Sequence, residues 1–350
     1  MSRELGRSGI KVSDIGFGCW AIGGPFTDSA NGGVPVGWHE ADDAESAAAL
    51  RRAFELGITF FDTADVYGTG HSERLLGRTL AGHRDEVVIA TKFGNTFDAA
   101  RRTMTGQDVS AAYISRACED SLKRLGTDRI DLYQLHLGGL PVAQAHDLAE
   151  TLEDLVTSGM IRSYGWSTDD PRSAASFAGG PHAAAVQHEL NVLADAPQML
   201  EVCEACDVAS INRGPLAMGL LTGKYDAASR LPAGDVRGPG GPSWMGYFTD
   251  GRPAPEPLAR LGAIRDVLTG DGRTLAQGAL GWILARSPRT VPIPGIRTVA
   301  QAEQNAAALR LGPLPATAMA EIAGLLGPLP GRHRAVVSQP SALALLLCAE

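Results

Sequence analysis

The sequence alternates between short strand-like runs and longer helix-like runs, and this alternation limits the folds open to the chain. Apolar residues that recur every three or four positions predict helices, and compact apolar runs between them predict strands. Strands are predicted at 15–19, 58–61, 87–91, 130–135, 161–166, 185–187, 208–212 and 290–293. Helices are predicted at 41–56, 71–80, 110–125, 143–158, 171–178, 198–206 and 298–308. Eight strands alternating with helices predict a single α/β domain, a (β/α)8 TIM barrel.

A doubly wound parallel sheet is the competing architecture. A dinucleotide-binding sheet of that kind carries a glycine-rich phosphate turn directly after its first strand. Here the first strand and the residues after it read Gly16-Phe17-Gly18-Cys19-Trp20-Ala21, which lacks the third glycine of that fingerprint. The sequence therefore favours the barrel.

Three long segments, 23–40, 94–108 and 223–255, interrupt the regular spacing of the predicted elements. Loops of this length in a compact domain are usually functional lids or disordered segments. All three follow strands or turns close to strands. We therefore expect them on the C-terminal face of the barrel, where the active sites of such barrels lie.

Composition and charge exclude several kinds of partner. A net charge of -8 over 350 residues argues against binding nucleic acid. The N-terminus lacks the apolar run of a signal peptide, and the longest apolar run, 342–348, is too short to cross a bilayer. We therefore expect a cytoplasmic protein without a membrane partner. Cys203 and Cys206 have no second Cys or His pair at zinc-site spacing, so no metal site is predicted.

Polar residues stand where several predicted strands end. Asp62, Lys92 and His136 follow the second, third and fourth strands, and Tyr67 lies five residues after Asp62. Taken singly, each also fits a structural role such as a helix cap, a turn residue or a solvated charge. In a barrel, however, the C-terminal ends of all strands meet at one mouth. The same reasoning adds a further set at later strand ends: Ser167, Thr168, Gln187, His188, Asn212 and Arg213.

These residue types suit the reduction of a carbonyl group. Hydride addition to a carbonyl builds negative charge on its oxygen, which needs a nearby proton donor. A free tyrosine has a pKa of about 10, and a neighbouring lysine cation lowers it. Lys92 leaves an apolar run and needs a counter-charge, for which Asp62 is the candidate. We therefore expect Tyr67 to donate the proton and His136 to orient the substrate oxygen or relay a proton.

Four segments of the sequence resemble the signature motifs of the aldo-keto reductases. They are Gly57 to Gly68, reading GITFFDTADVYG, Thr91-Lys92-Phe93-Gly94, Asp128 to His136, reading DRIDLYQLH, and Gly159 to Arg162 with Gly165-Trp166-Ser167. The resemblance runs from about Leu5 to Leu311. It implies a (β/α)8 barrel in which Asp62, Tyr67, Lys92 and His136 form the catalytic tetrad of a reductase.

The resemblance also implies a cofactor, NADP(H) in preference to NAD(H), lying extended across the barrel mouth. Ser167 and Gln187 would hold the nicotinamide carboxamide, with Thr168 beside them, and Arg213 stands where many members stack an aromatic ring on the nicotinamide. The loop from Gly214 to Lys224 would hold the pyrophosphate, and Arg297 would pair with the 2'-phosphate. The cofactor residues implied in this way are Trp20, Ser167, Thr168, Gln187, Arg213, Gly214, Pro215, Leu216, Lys224, Gly295, Arg297, Gln301, Gln304 and Asn305.

The likeness to the family ends before the chain does. We assign residues 1–311 to the barrel and set 312–350 apart as a tail without family features, with order or disorder left open for 338–350. A cofactor-binding regulatory subunit like the potassium-channel β subunits is the alternative function. Those subunits resemble the same barrel but carry Asn where His136 stands here. Substrate, reaction direction and oligomeric state stay open.

Overall fold

The computed structural model describes residues 2–327, and its largest element is a parallel sheet of eight strands. The strands are β1 (Phe17–Gly18), β2 (Phe60–Asp62), β3 (Val88–Phe93), β4 (Leu132–Leu135), β5 (Tyr164–Ser167), β6 (Ala183–Glu189), β7 (Ala209–Arg213) and β8 (Thr290–Pro292). Strands that follow one another along the chain are neighbours in the sheet.

The first and last strands meet and close the sheet into a barrel. A parallel bridge joins Gly18 to Gly295, just beyond β8. The backbone N–H of Gly18 donates to the carbonyl of Pro294 at 2.9 Å, and that of Gly16 donates to Pro292 at 2.9 Å. The predicted (β/α)8 architecture is thereby confirmed.

Helices surround the barrel: α1 (Asp43–Glu55), α2 (His71–Leu80), α3 (Ala111–Leu125), α4 (Val142–Asp147), α5 (Ala149–Thr157), α6 (Pro171–Phe177), α7 (Pro197–Ala205), α8 (Pro255–Leu268), α9 (Leu275–Arg286), α10 (Val299–Leu311) and α11 (Ala316–Leu326). The helix predicted at 143–158 is present but is interrupted at Leu148, so that it forms α4 and α5. The backbone N–H of Leu148 donates to Ala145 rather than one residue further back, which tightens the turn there.

The sequence did not predict α8, α9 or α11. Helix α9 is buried on nearly all sides, with every residue from Leu275 to Leu284 inside the protein. Such a helix has no polar face and therefore shows no amphipathic repeat. Helix α11 lies in the segment that the sequence analysis left unassigned.

The interior of the barrel is apolar at the bottom and polar at the top. Phe60, Val88 and Leu132 belong to a buried cluster with Leu5 and Val12, which come from an N-terminal hairpin of Ser2–Glu4 and Lys11–Ser13. Side chains at alternate strand positions face the same side of a sheet. The interior positions further along these strands therefore hold Asp62, Lys92, Gln134 and Gln187, all buried.

Two of the long segments are ordered by β structure of their own. Thr27–Asp28, Val34–Pro35, Asn95–Asp98 and Thr103–Gln107 form a four-stranded sheet, here called the small sheet. The third segment contains the short pair Phe248–Thr249 and Arg252–Pro253. These segments follow β1, β3 and β7, so they stand over the C-terminal end of the barrel.

The end of the described chain is fixed to the barrel. Helix α11 packs against α8, and the guanidinium of Arg273 donates to the carbonyls of Leu311 and Gly312 at 2.8 and 3.0 Å. Residues 328–350, including the segment 338–350, lie outside the described residues. Within residues 2–327, none of the helices has the length and apolar character needed to cross a membrane.

Barrel closure predicts the effect of a substitution at Gly18. A Cβ atom there would lie 2.7 Å from the carbonyl oxygen of Ile293, a backbone atom that cannot move aside cheaply. We expect Gly18→Ala to lower the free energy of unfolding, measured with urea, by about 1–3 kcal/mol. Gly82→Ala is the control, because a Cβ at Gly82 meets no atom within 4 Å. Equal stability of the two variants would contradict this account of closure.

Candidate active site

A buried ion pair lies at the top of the barrel interior. Lys92 Nζ is 2.5 Å from Asp62 Oδ1 and 2.8 Å from the carbonyl oxygen of Thr63. Both charged side chains are almost entirely shielded from solvent, at 0% and 3% exposure. Charges this deep in a protein persist when each has a partner and further hydrogen bonds. The counter-charge that the sequence predicted for Lys92 is therefore confirmed as Asp62.

The second carboxylate oxygen of Asp62 is held by two amides. Asp62 Oδ2 accepts from Gln134 Nε2 at 3.0 Å and from Gln187 Nε2 at 2.8 Å. Gln134 was not predicted from the sequence, although it is a polar residue inside an apolar strand, two positions from Leu132, which is a usable signal. Gln187 also lines the central cavity. Its Oε1 is the acceptor that it can offer to a bound molecule, since its amide nitrogen serves Asp62.

Tyr67 stands between the ion pair and the open cavity. Its hydroxyl oxygen is 3.4 Å from Lys92 Nζ. Burial raises the pKa of Tyr67, and the charge of Lys92 offsets only part of that increase. The lowering of the Tyr67 pKa by lysine was predicted from the sequence, whereas the larger increase caused by burial was not. The phenol therefore stays protonated at neutral pH, as a proton donor must.

His136 faces Tyr67 across the same end of the cavity. The two rings are nearly perpendicular, with centroids 5.7 Å apart. Burial, together with the charges of Lys92 and Arg213, holds the pKa of His136 well below its usual value. The imidazole is therefore neutral near pH 7 and carries one N–H. Its Nδ1 atom is buried and has no hydrogen-bond partner among the described residues.

A cavity of about 1000 Å³ opens above these residues. Asp62, Tyr67 and His136 line it, whereas Lys92 is buried behind them. Every residue that the family resemblance assigned to a cofactor lines the same cavity. These residues are Trp20, Ser167, Thr168, Gln187, Arg213, Gly214, Pro215, Leu216, Lys224, Gly295, Arg297, Gln301, Gln304 and Asn305.

Thr168 and Arg213 are among the side chains of this set that the protein itself engages. Thr168 Oγ1 donates to the carbonyl of Gly138 at 2.8 Å. The guanidinium of Arg213 forms an ion pair with Asp169, whose other oxygen accepts from the backbone N–H of Glu189. Arg213 is thus held in a fixed position at the cavity wall by a charge that the sequence analysis did not identify.

Arg297 lies further along the cavity and holds one of the long segments. Its Nη1 donates to the carbonyls of His39 and Glu40 at 2.9 and 3.2 Å. Its backbone N–H donates to Gln301 Oε1 at 2.9 Å. An anion bound at this point would therefore meet the guanidinium of Arg297, which also holds the loop at His39 and Glu40.

Arg237 is a fourth cation that lines the cavity, and it was not predicted from the sequence. It is buried, forms an ion pair with Asp235 at 2.8 Å and donates to the carbonyl of Met218 at 3.2 Å. Its only sequence signal is an Asp-x-Arg triplet inside a segment rich in Gly and Pro. Among the described residues, the Lys and Arg side chains that line the cavity are Arg213, Lys224, Arg237 and Arg297.

The turn after β7 is strained where it approaches these cations. Ala217 and Met218 have positive φ values of 47° and 56°, which are unfavourable for residues with a Cβ atom. Backbone strain of this kind is found where a loop is shaped for a ligand. The turn and the four cations line the same cavity, and positive charge there suits phosphate groups.

Comparisons with known proteins agree with the fold and the motifs. Residues 14–326 match the model of the Aldo/keto reductase family. The chain is 33% identical over 320 residues to the chloroplastic pyridoxal reductase of Arabidopsis thaliana, covering 86% of this chain and 80% of the relative.

Solved structures extend the comparison. Glycerol dehydrogenase AKR11B4 from Gluconobacter oxydans superposes with a TM-score of 0.76 at 26% identity, covering 97% of this chain and 98% of that one. An aldo-keto reductase from Klebsiella pneumoniae in complex with NADPH superposes with a TM-score of 0.65 at 26% identity, covering 97% and 99%. The chain therefore belongs to the aldo/keto reductase family and is an oxidoreductase.

Proposed function

We propose that this protein is an NADP(H)-dependent reductase of aldehydes or ketones, with Tyr67 as the general acid. The observation that carries the proposal is the convergence of the Tyr67 hydroxyl, the buried Lys92–Asp62 pair and a neutral His136 at one end of a large cavity. The same site can oxidise an alcohol or a sugar hydroxyl, since the ratio of reduced to oxidised cofactor sets the direction.

The donor set of the cavity fits NADP(H). Lys224 and Arg297 supply positive charge, which pyrophosphate and the 2'-phosphate require. Arg213 and Arg237 line the same cavity but are paired with Asp169 and Asp235. Ser167 and Gln187 supply a hydroxyl and an amide oxygen beside Tyr67, suited to a carboxamide. When bound, the nicotinamide supplies the hydride. The structure of the Klebsiella pneumoniae relative contains NADPH, which supports this choice of cofactor.

Tyr67 performs the proton transfer in this proposal. Its raised pKa keeps the phenol protonated, so Oη can give a proton to a carbonyl oxygen as that oxygen gains negative charge. The phenolate left behind lies 3.4 Å from the ammonium of Lys92. Burial alone would lower the pKa of Lys92, but the charges and hydrogen bonds of Asp62 and Tyr67 together outweigh burial and raise it. Lys92 therefore remains a cation and stabilises the phenolate.

His136 orients the substrate. Since its lowered pKa keeps the imidazole neutral, it can donate its single N–H to the carbonyl oxygen without competing for the proton of Tyr67. A regulatory subunit of the potassium-channel type is the weaker alternative. Those subunits carry Asn at the position of His136, whereas this chain has the histidine. An intact set of four residues favours turnover.

Tyr67→Phe tests the role of the hydroxyl. Removing the proton donor while keeping the ring is expected to lower kcat for aldehyde reduction by roughly 10²–10⁴. The dissociation constant for NADPH should not change, because the ring still fills its place. Steady-state oxidation of NADPH measures the first quantity, and a fluorescence titration measures the second. A variant with kcat near that of the unmodified protein would overturn the assignment.

Arg297→Ala tests whether Arg297 binds the 2'-phosphate of NADPH. Losing a charge-assisted contact is expected to weaken NADPH binding by about 10–100-fold. NADH binding should change little, and it serves as an internal control because Arg297 also holds the carbonyls of His39 and Glu40. Both dissociation constants can be measured by titration. Equal weakening of the two cofactors would show that Arg297 acts through that loop instead.

A further inference from the structure

Three tryptophans form one wall of the cavity beside Tyr67, here called the aromatic wall. Trp20 follows β1, Trp38 lies in the segment before α1, and Trp244 comes from the segment after β7. The ring of Trp20 stacks on Tyr67, with centroids 6.0 Å apart and an interplanar angle of 26°. Trp38 meets Trp20 edge-on at 5.6 Å, and Trp244 meets it at 6.3 Å. The wall therefore begins at the proposed proton donor and extends toward solvent.

Two of the three rings are held in place. Trp20 Nε1 donates to the carbonyl of Val36 at 3.1 Å. The guanidinium of Arg237 lies 4.3 Å from the centre of the Trp38 ring, and Asp235 holds that guanidinium. A fixed aromatic surface can select ligands by shape, because little conformational entropy is lost when a ring packs against it.

Trp244 is different, since 54% of its surface is exposed. The other large apolar side chains that the described residues expose are Leu311 and Leu325, on α10 and α11, and neither lines the cavity. Because Trp244 lines the cavity, its exposed ring can pack against a bound ligand. A flat ring that enters beside Trp20 would cover the exposed face of Trp244.

The charges near the aromatic wall disfavour an acidic substrate. Asp28, from the small sheet, also lines the cavity. Its oxygens already accept from the backbone N–H groups of Ala30 and Asn31 and from the side chain of Asn31. Of the lining cations among the described residues, Arg213 and Arg237 already pair with Asp169 and Asp235. The proposed function assigns the other two, Lys224 and Arg297, to the cofactor phosphates. An anionic group on the substrate would meet Asp28 instead of a free cation.

Other apolar side chains line the cavity near Trp20 and Tyr67. Phe26, Val66 and Met104 pack with Trp20 and Tyr67 in one apolar cluster, and all of them line the cavity. Among the substrates open to the proposed function, which include sugars, this lining favours apolar rings over polyhydroxylated groups, because hydroxyl groups left unpaired against an apolar surface are costly.

We infer that the substrates are aldehydes or ketones carried on a flat, uncharged aromatic ring, and that Trp244 is the residue that selects them. The inference rests on the proposed function and names the substrate class of the same site. The carbonyl oxygen lies at Tyr67 and His136, and the ring lies along Trp20 and Trp244.

The test compares 2-naphthaldehyde with propanal in the cofactor-loaded protein. The unmodified protein should favour 2-naphthaldehyde in kcat/KM. Trp244→Ala should lower kcat/KM for 2-naphthaldehyde by about tenfold through KM, and leave that for propanal almost unchanged. Trp244→Phe should restore part of the loss. Leu325→Ala, which truncates an exposed apolar side chain away from the cavity, should change neither value.

An equal loss with both aldehydes, or a weaker NADPH affinity in Trp244→Ala, would overturn the selection role of Trp244. Absence of turnover with either aldehyde would instead refute the proposed function. In that case, titration of 2-naphthaldehyde into the NADP⁺-loaded protein by calorimetry still tests the inference without chemistry. Weaker binding to Trp244→Ala than to Leu325→Ala supports the aromatic wall as a ring-binding surface, and equal binding contradicts it.

Discussion

The ion pair between Lys92 and Asp62 is the interaction on which the rest of the site depends. Two charges inside a barrel are stable only if their hydrogen-bonding capacity is satisfied, and removing one partner of such a pair typically costs about 3–5 kcal/mol. Here Asp62 also binds Gln134 and Gln187, and Lys92 also binds the carbonyl of Thr63. The remaining contact of the ammonium group is with Tyr67. The proposed proton donor is therefore positioned by a saturated buried network.

Barrel geometry explains why residues so distant in sequence meet at one point. Side chains alternate between the inside and the outside of each strand, so a fixed register places Lys92 beside Gln134 across β3 and β4. Closure of β1 against the end of β8 then brings Gly18 and Gly295 together. The end of the cavity at Tyr67 and the end at Arg297 consequently belong to one closed barrel, and residues of the three long segments line the cavity between them.

Prediction from sequence worked where a residue carries its own local signal. A lysine at the end of an apolar strand demands a counter-charge, and the strand before it ends in a suitable partner, Asp62. Arg237 gave no such signal, because its role depends on a long segment that folds back over the strained turn at Met218. Helix α9 was missed for a related reason: its environment is apolar on all sides, and that environment is set by tertiary packing. The net pKa of Tyr67 also depends on burial, which spacing along the chain does not reveal.

The central claim is that Tyr67 and Lys92 act as one unit, with the lysine stabilising the phenolate that proton transfer creates. The most direct test is a double-mutant cycle on kcat/KM for aldehyde reduction, with Tyr67→Phe, Lys92→Met and the combined variant. Cofactor affinity of each variant is the check on folding. Residues that act as a unit give strongly non-additive losses. We predict that the combined variant loses about as much as Tyr67→Phe alone. Losses that multiply would contradict the account, since they would show that Lys92 contributes independently of the tyrosine.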